Sequence, residues 1–305
     1  MLNSFRILNY TRFLIVLMGL NLINFPLAIG QTLGGDNFIE QFKGAGFLEV
    51  SSSPQIKVFF KAFNHLAPVA PQQTGPAEPI RLTVYIEGDG AAWRVRQTPP
   101  RDPTPQNPIA AYLALADSGA FVAYMGRPCM YLDRVHLQQC PNALWTDARF
   151  SGEALALSNK ALNDLIERFK KEALFEPSRT LLINLVGYSG GGVLAALLAS
   201  QRSDVACLTT LASPLDIEVW AKLQRVAPLS RSLNPAYPET KLSQVQQMHW
   251  YGAEDRIVPP QSLGRYHNWS PKLNRDQVIQ ILPNFNHRDY WVRDWQGLKD
   301  RSCLN

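Results

Sequence analysis

LLINLVGYSGGGVLAALLAS, residues Leu181–Ser200, is the stretch whose reading decides the fold. An apolar, branched run stops at Gly187, one serine stands at Ser189 among glycines, and a second apolar run begins at Val193. A short continuous apolar run such as Leu181–Val186 suits a strand buried on both faces of a parallel sheet, and Val193–Ser200 reads as a packed helix. Strand, tight turn and helix together form a nucleophile elbow with Ser189 at its apex. Gly187 and Gly191 are where strand and helix come closest, and a Cβ at either position is expected to clash. The bare G-x-S-x-G spacing arises by chance in roughly one chain in ten of this length, so the weight rests on the elements either side of it. A phosphate-cradling turn is the competing reading, but no Gly-Lys-Ser/Thr follows the glycines.

A serine hydroxyl is a poor nucleophile until a base takes its proton and an acid orients that base. In a doubly wound sheet both partners come from loops at the carboxyl ends of later strands. The strand in QVQQMHWYG runs into AEDRIVPP, which places Asp255 after it, and the strand in QVIQILPN runs into FNHRDYW, which places His287. Ser189, Asp255, His287 is the chain order that an elbow serine requires. Asp216, after the preceding strand, is the alternative acid, and His267, in a helix-like stretch beyond Asp255, the alternative base. Glu254 is adjacent to Asp255 but should point elsewhere. His249 lies within a strand and should be packed, while His65 and His136 precede the elbow. The oxyanion of a tetrahedral intermediate needs two donors. One is expected from the N–H of Gly190. The other should come from Asp89 in EGDGAAW, with Gly90 as the neighbour that could replace it. A charge at Asp89 beside a developing oxyanion is unfavourable, so its side chain should point away or pair with an arginine such as Arg94.

Around this centre, strands alternate with helices. FLEV and KVFFKAF read as an antiparallel edge, IRLTVYIEG as a central strand, and AFVAYMG and VACLTTLA as further strands. Ile109–Ala116 reads as a helix, and Arg149–Leu174 as an amphipathic one with Leu155, Leu162, Leu165, Ile166 and Phe169 on a single face. The expected fold class is therefore α/β, a doubly wound and mostly parallel sheet. TPPRDPTPQNP is too proline-rich for helix or interior strand and should be a surface loop after the Leu82–Ile86 strand. Pro214–Ser243 is too long for a simple crossover, and its Leu, Trp and Tyr residues suit a small packed cap over the site.

The chain has 305 residues, 46% of them hydrophobic, enough for one large α/β domain over residues 31–305. Its net charge is +5, unpatterned, and nothing asks for nucleic acid. Residues 1–30 have the form of an export signal: a basic start with Arg6 and Arg12, an apolar stretch, and the small-x-small end Ala28-Ile29-Gly30. Two asparagines and a proline in that stretch argue against a retained membrane anchor. The expected location is exported, periplasmic or secreted, with no stable membrane insertion after cleavage near Gln31. Export gives the four cysteines a use as disulfides. Cys129 and Cys140 are expected to bridge within a loop. Cys207 and Cys303 could pair or remain thiols, and the spacing fits no zinc site. Neither a metal nor an organic cofactor is expected. Nothing in the composition bears on oligomeric state.

These residues carry a resemblance. From about Arg81 to its end the chain resembles the α/β-hydrolase superfamily. More narrowly, EGDGAAW, DPTP, GRPC, RFS, GYSGGG and SLNP together resemble a group of exported bacterial hydrolases without a settled substrate. The resemblance implies the α/β-hydrolase fold, a catalytic triad and an oxyanion hole. The His-Gly pair of many lipase and esterase loops is Glu87-Gly88 here. The expected activity is a serine hydrolase of the carboxylesterase kind, acting on a small-molecule or lipid-like ester through an acyl-enzyme. A peptidase of the same fold and an inactive binding module are the alternatives.

Overall fold

Alternating residues of the strand Ile80–Ile86 face opposite layers, and that alternation organises the molecule. Leu82, Val84 and Ile86 point into one apolar cluster, and Tyr85 into another on the opposite side of the sheet. The computed structural model describes residues 35–50, 55–61, 78–91, 98–172, 179–237, 242–268 and 278–304. The proposed leader, Arg94, His65 and residues 238–241 of the expected cap lie outside these described residues.

In chain order the strands are β1 (Phe47–Val50), β2 (Val58–Lys61), β3 (Ile80–Ile86), β4 (Val122–Met125), β5 (Leu181–Tyr188), β6 (Val205–Leu211), β7 (Gln246–Gly252) and β8 (Ile279–Leu282). They form one eight-stranded sheet in the order β1-β2-β4-β3-β5-β6-β7-β8. β2 pairs antiparallel with both β1 and β4, and every pairing from β4 across to β8 is parallel. The longer helices are α1 (Gly35–Gly44), α2 (Ile109–Ala116), α4 (Gly152–Glu172), α5 (Gly190–Gln201) and α6 (Ile217–Gln224). Two shorter ones are α3 (Arg134–Gln138) and α7 (Trp295–Asp300). Buried residues of α4 and α5 pack on one face of the sheet, and those of α1, α2 and α7 on the other. This is the α/β-hydrolase fold. The antiparallel edge, the central strand and the amphipathic helix stand where the sequence puts them, the helix trimmed to Gly152–Glu172.

Four helices were not expected: α1, α7, α6, which forms within the segment read as a cap, and α3, which lies within a stretch read as plain loop. Both cysteine pairs are joined, Cys129 to Cys140 and Cys207 to Cys303. The second bridge ties β6 to the residues after α7. Among the described residues no helix is long and apolar enough to cross a membrane.

The segment after β6 is packed rather than loose. Arg231 makes a bidentate ion pair with Asp147 at 2.6 Å per contact, the Ser232 hydroxyl donates to the Asp147 carbonyl at 2.7 Å, and the Leu233 N–H donates to the Phe150 carbonyl at 2.9 Å. These bonds fasten it to the chain entering α4.

Candidate active site

Between β5 and α5 the backbone turns so tightly that Ser189 adopts φ 51° and ψ −125°, a region costly for any side chain. The close approach explains two of the glycines. A Cβ on Gly187 would meet the Gly192 Cα at 2.4 Å, and one on Gly191 would meet the Ile86 carbonyl at 2.2 Å. The Ser189 N–H donates to the Leu211 carbonyl at 2.8 Å, which fixes the turn to β6.

The loops after β7 and β8 converge on this corner. His287 Nε2 lies 3.1 Å from Ser189 Oγ, and His287 Nδ1 lies 2.8 Å from Asp255 Oδ2. Asp255 is buried, and its other oxygen accepts the N–H groups of Ile257 at 2.8 Å and Val258 at 2.7 Å. Those bonds leave Oδ2 for the imidazole and fix its direction. The Tyr188 hydroxyl donates to the His287 carbonyl, so the strand that carries the serine also holds the backbone of the histidine.

The alternatives are occupied elsewhere. Asp216 is buried, accepts from the Arg265 side chain at 2.9 Å and Asn234 at 3.0 Å, and caps α6 through the Val219 N–H at 3.2 Å. Burial alone would push its carboxyl up, but hydrogen bonds from Arg265 and Asn234 outweigh this and hold it at about 2. His249 is buried between Thr210 and Gln247, and burial pushes its imidazole down to about 3. His136 bonds Asp133 on an exposed turn, and Glu254 is exposed. His267 lies in the 3-10 segment Pro260–Asn268, and its side chain is outside the described residues.

The loop after β3 lies against the start of α5. Gly90 has φ +60° and sits so close to the Pro103 carbonyl that a Cβ would come to 2.1 Å. The Ala91 N–H donates to that same carbonyl at 3.1 Å, so DPTP braces the loop. Among the described residues, neither the Gly190 nor the Asp89 N–H has a protein acceptor. The Asp89 side chain lies directly over the Gly190 Cα, where a Cβ would meet Oδ1 at 1.9 Å. It pairs with Arg127 at 3.0 Å and Arg149 at 3.1 Å. The expectation was that this side chain points away or pairs with an arginine; it pairs with two, Arg127 of GRPC and Arg149 of RFS, while Arg94, the example offered, lies outside the described residues. Glu87, one residue before the loop's first glycine, is fully buried. It accepts from the Gly88 N–H at 2.9 Å, the Tyr124 hydroxyl at 3.1 Å, and the N–H groups of Ala111 and Ala110 at 3.3 and 3.4 Å. Burial pushes its carboxyl up to about 7, against these hydrogen bonds. Local pattern signalled none of these three roles, because apart from the adjacent Gly88 each partner lies in a distant segment. Among the described residues no cluster of side chains could hold a metal ion.

No family model matches the chain, and no curated protein does. Solved structures of similar shape include Est1E from Butyrivibrio proteoclasticus, at 12% identity and TM-score 0.45, covering 84% of this chain and 96% of that one. The esterase domain of a Rhodothermus marinus protein aligns at 12% identity and TM-score 0.46, covering 84% and 98%. A puromycin-hydrolysing peptidase from Mycobacterium tuberculosis aligns at 14% identity and TM-score 0.47 over 79% of this chain and 35% of its own.

Proposed function

We propose that the protein is a serine hydrolase of the carboxylesterase kind, and that Ser189, His287 and Asp255 carry the reaction. The observation behind this reading is the continuous hydrogen-bond line from Asp255 through His287 to a strained, elbow-borne Ser189. Ser189 Oγ attacks the ester carbonyl carbon while its proton passes to His287 Nε2, and the carbonyl oxygen becomes the anion of a tetrahedral intermediate. Asp255 keeps the Nδ1–H of the imidazole pointed at itself and stabilises the imidazolium. The N–H of Gly190 and that of Asp89 receive the oxyanion. When the carbonyl re-forms, His287 returns its proton to the leaving alkoxide and the alcohol departs. Water then repeats the sequence on the acyl-serine, releasing the acid and the free hydroxyl. These steps use only residues of this chain. The packed segment around α6 is read as the wall of the substrate site, since Trp220 lies 5.6 Å from the Arg149 guanidinium that pairs with Asp89. The bridges Cys129–Cys140 and Cys207–Cys303 support the further reading that the protein is exported.

Turnover of a small activated ester tests the proposal. Ser189→Ala should abolish it, and His287→Ala should lower kcat/KM nearly as far, with unchanged circular dichroism in both. Full activity in the Ser189 variant ends this reading. A panel of matched esters and amides then separates esterase from peptidase.

A further inference from the structure

Four of the sequence motifs meet around one loop. EGDG supplies the loop itself, DPTP braces Gly90 through Pro103, GRPC supplies Arg127, and RFS supplies Arg149. The arginines are both 3% exposed, and Arg127 also donates to the Arg149 carbonyl at 2.7 Å. Two buried guanidiniums thus face one carboxylate, stacked on the ring of Phe150 at 4.9 and 5.6 Å.

Burying an arginine pair in this way is expensive unless the charge is used. The unused capacity is visible: among the described residues Arg127 Nε and Arg149 Nε and Nη1 have no hydrogen-bond acceptor. Arg149 Nε is close enough to Asp89 for an ion pair but not aligned for a hydrogen bond. Two guanidiniums thus meet the Asp89 carboxylate, with Glu87 the further carboxyl whose charge acts on Arg127, and the unfilled N–H donors leave the cluster able to take more negative charge nearby. The Asp89 carboxylate covers the Gly190 Cα, beside one of the two N–H groups read as oxyanion donors. Without its arginines, that carboxylate would repel the oxygen that becomes an anion during the reaction.

We propose that Arg127 and Arg149 are positioning residues of the oxyanion hole. They fix the Asp89 side chain from behind so that the loop presents its N–H to the oxyanion, and they over-compensate its charge so that the loop's net field favours the intermediate. The proposal rests on the reading of Ser189 as nucleophile. It gives the arginines of GRPC and RFS one shared task, although 22 residues separate them.

The test is a set of full-length variants, Arg149→Gln, Arg127→Gln, Arg149→Lys and Arg127→Lys. For each, kcat and KM are measured with a small activated ester, together with the second-order rate of inactivation by a fluorophosphonate. Each Gln variant should lose about ten- to a hundred-fold in kcat, with KM changed by no more than about two-fold. Its inactivation rate should fall in parallel, because phosphonylation also develops charge on an oxygen in that hole. Each Lys variant should fall between its Gln counterpart and wild type. A purely structural role would lower the folded fraction and spare the rate per folded molecule. Folded Gln variants with wild-type kcat, or with a loss confined to KM, would overturn the proposal. Should the Gln variants not fold, the Lys variants decide, and a folded Arg149→Lys with wild-type kcat overturns it equally. If wild-type Ser189 is not phosphonylated at all, the nucleophile reading fails first. If it is, and the arginine variants react as fast, the positioning role alone fails.

Discussion

Asp255 and Asp216 are both buried carboxylates at the ends of neighbouring strands, and their partners separate them. Asp255 spends one oxygen on two backbone N–H groups and offers the other to His287. Asp216 is used up by Arg265, Asn234 and the cap of α6. Asp255→Asn should therefore cost about 10³–10⁴-fold in kcat/KM by spoiling the tautomer of His287. Asp216→Asn should leave turnover within a few-fold and lower the melting temperature instead. An Asp216 variant losing more activity than the Asp255 variant would move the acid to β6. At this scale the meeting of Ser189, Asp255 and His287 was legible because each follows a strand whose pattern is local. The arginines were not, because an ion pair between Asp89 and residues far along the chain leaves no periodic trace.

Among the elements, the connection from β3 to α2 concentrates the unusual chemistry. Glu87 joins the loop after β3 to the first turn of α2 through a buried carboxyl raised from 4.5 to about 7, burial being the main cause. A carboxyl raised on folding contributes stability that is fully present below its unfolded value and lost as pH rises through the folded one. Wild type should therefore lose stability relative to Glu87→Gln between about pH 4.5 and about pH 7. Denaturant unfolding of both proteins across that window measures the difference in slope, and parallel curves would show that Glu87 titrates normally. The long amphipathic α4 and the buried strands were readable because each repeats its pattern several times. α3 and α7 were missed because they are only five and six residues long, and α1 because its ten residues carry apolar spacing over little more than one turn. In α1 the only clear signal is the pair Phe38 and Phe42, one turn apart and both buried against Phe59 and Tyr124.

For the molecule as a whole, the two disulfides differ chiefly in how much chain they close. Cys207–Cys303 joins residues 96 apart and Cys129–Cys140 residues 11 apart. On the chain-entropy account the longer closure stabilises by about 4–5 kcal/mol and the shorter by about 3 kcal/mol. Cys303→Ser should accordingly lower the melting temperature more than Cys140→Ser, and the reverse order would show that local packing outweighs loop length. The fold was legible at this scale because a parallel sheet needs fully apolar strands joined by helices, whereas the Cys207–Cys303 pairing depends on where α7 ends in space. The claim that organises all of this is that the elbow exists to make Ser189 a nucleophile. Mass-spectrometric mapping of the full-length protein after treatment with a fluorophosphonate tests it most directly. A single adduct on the peptide carrying Ser189, absent in Ser189→Ala and strongly slowed in His287→Ala, is the predicted result; an unmodified Ser189 in the folded protein would contradict it.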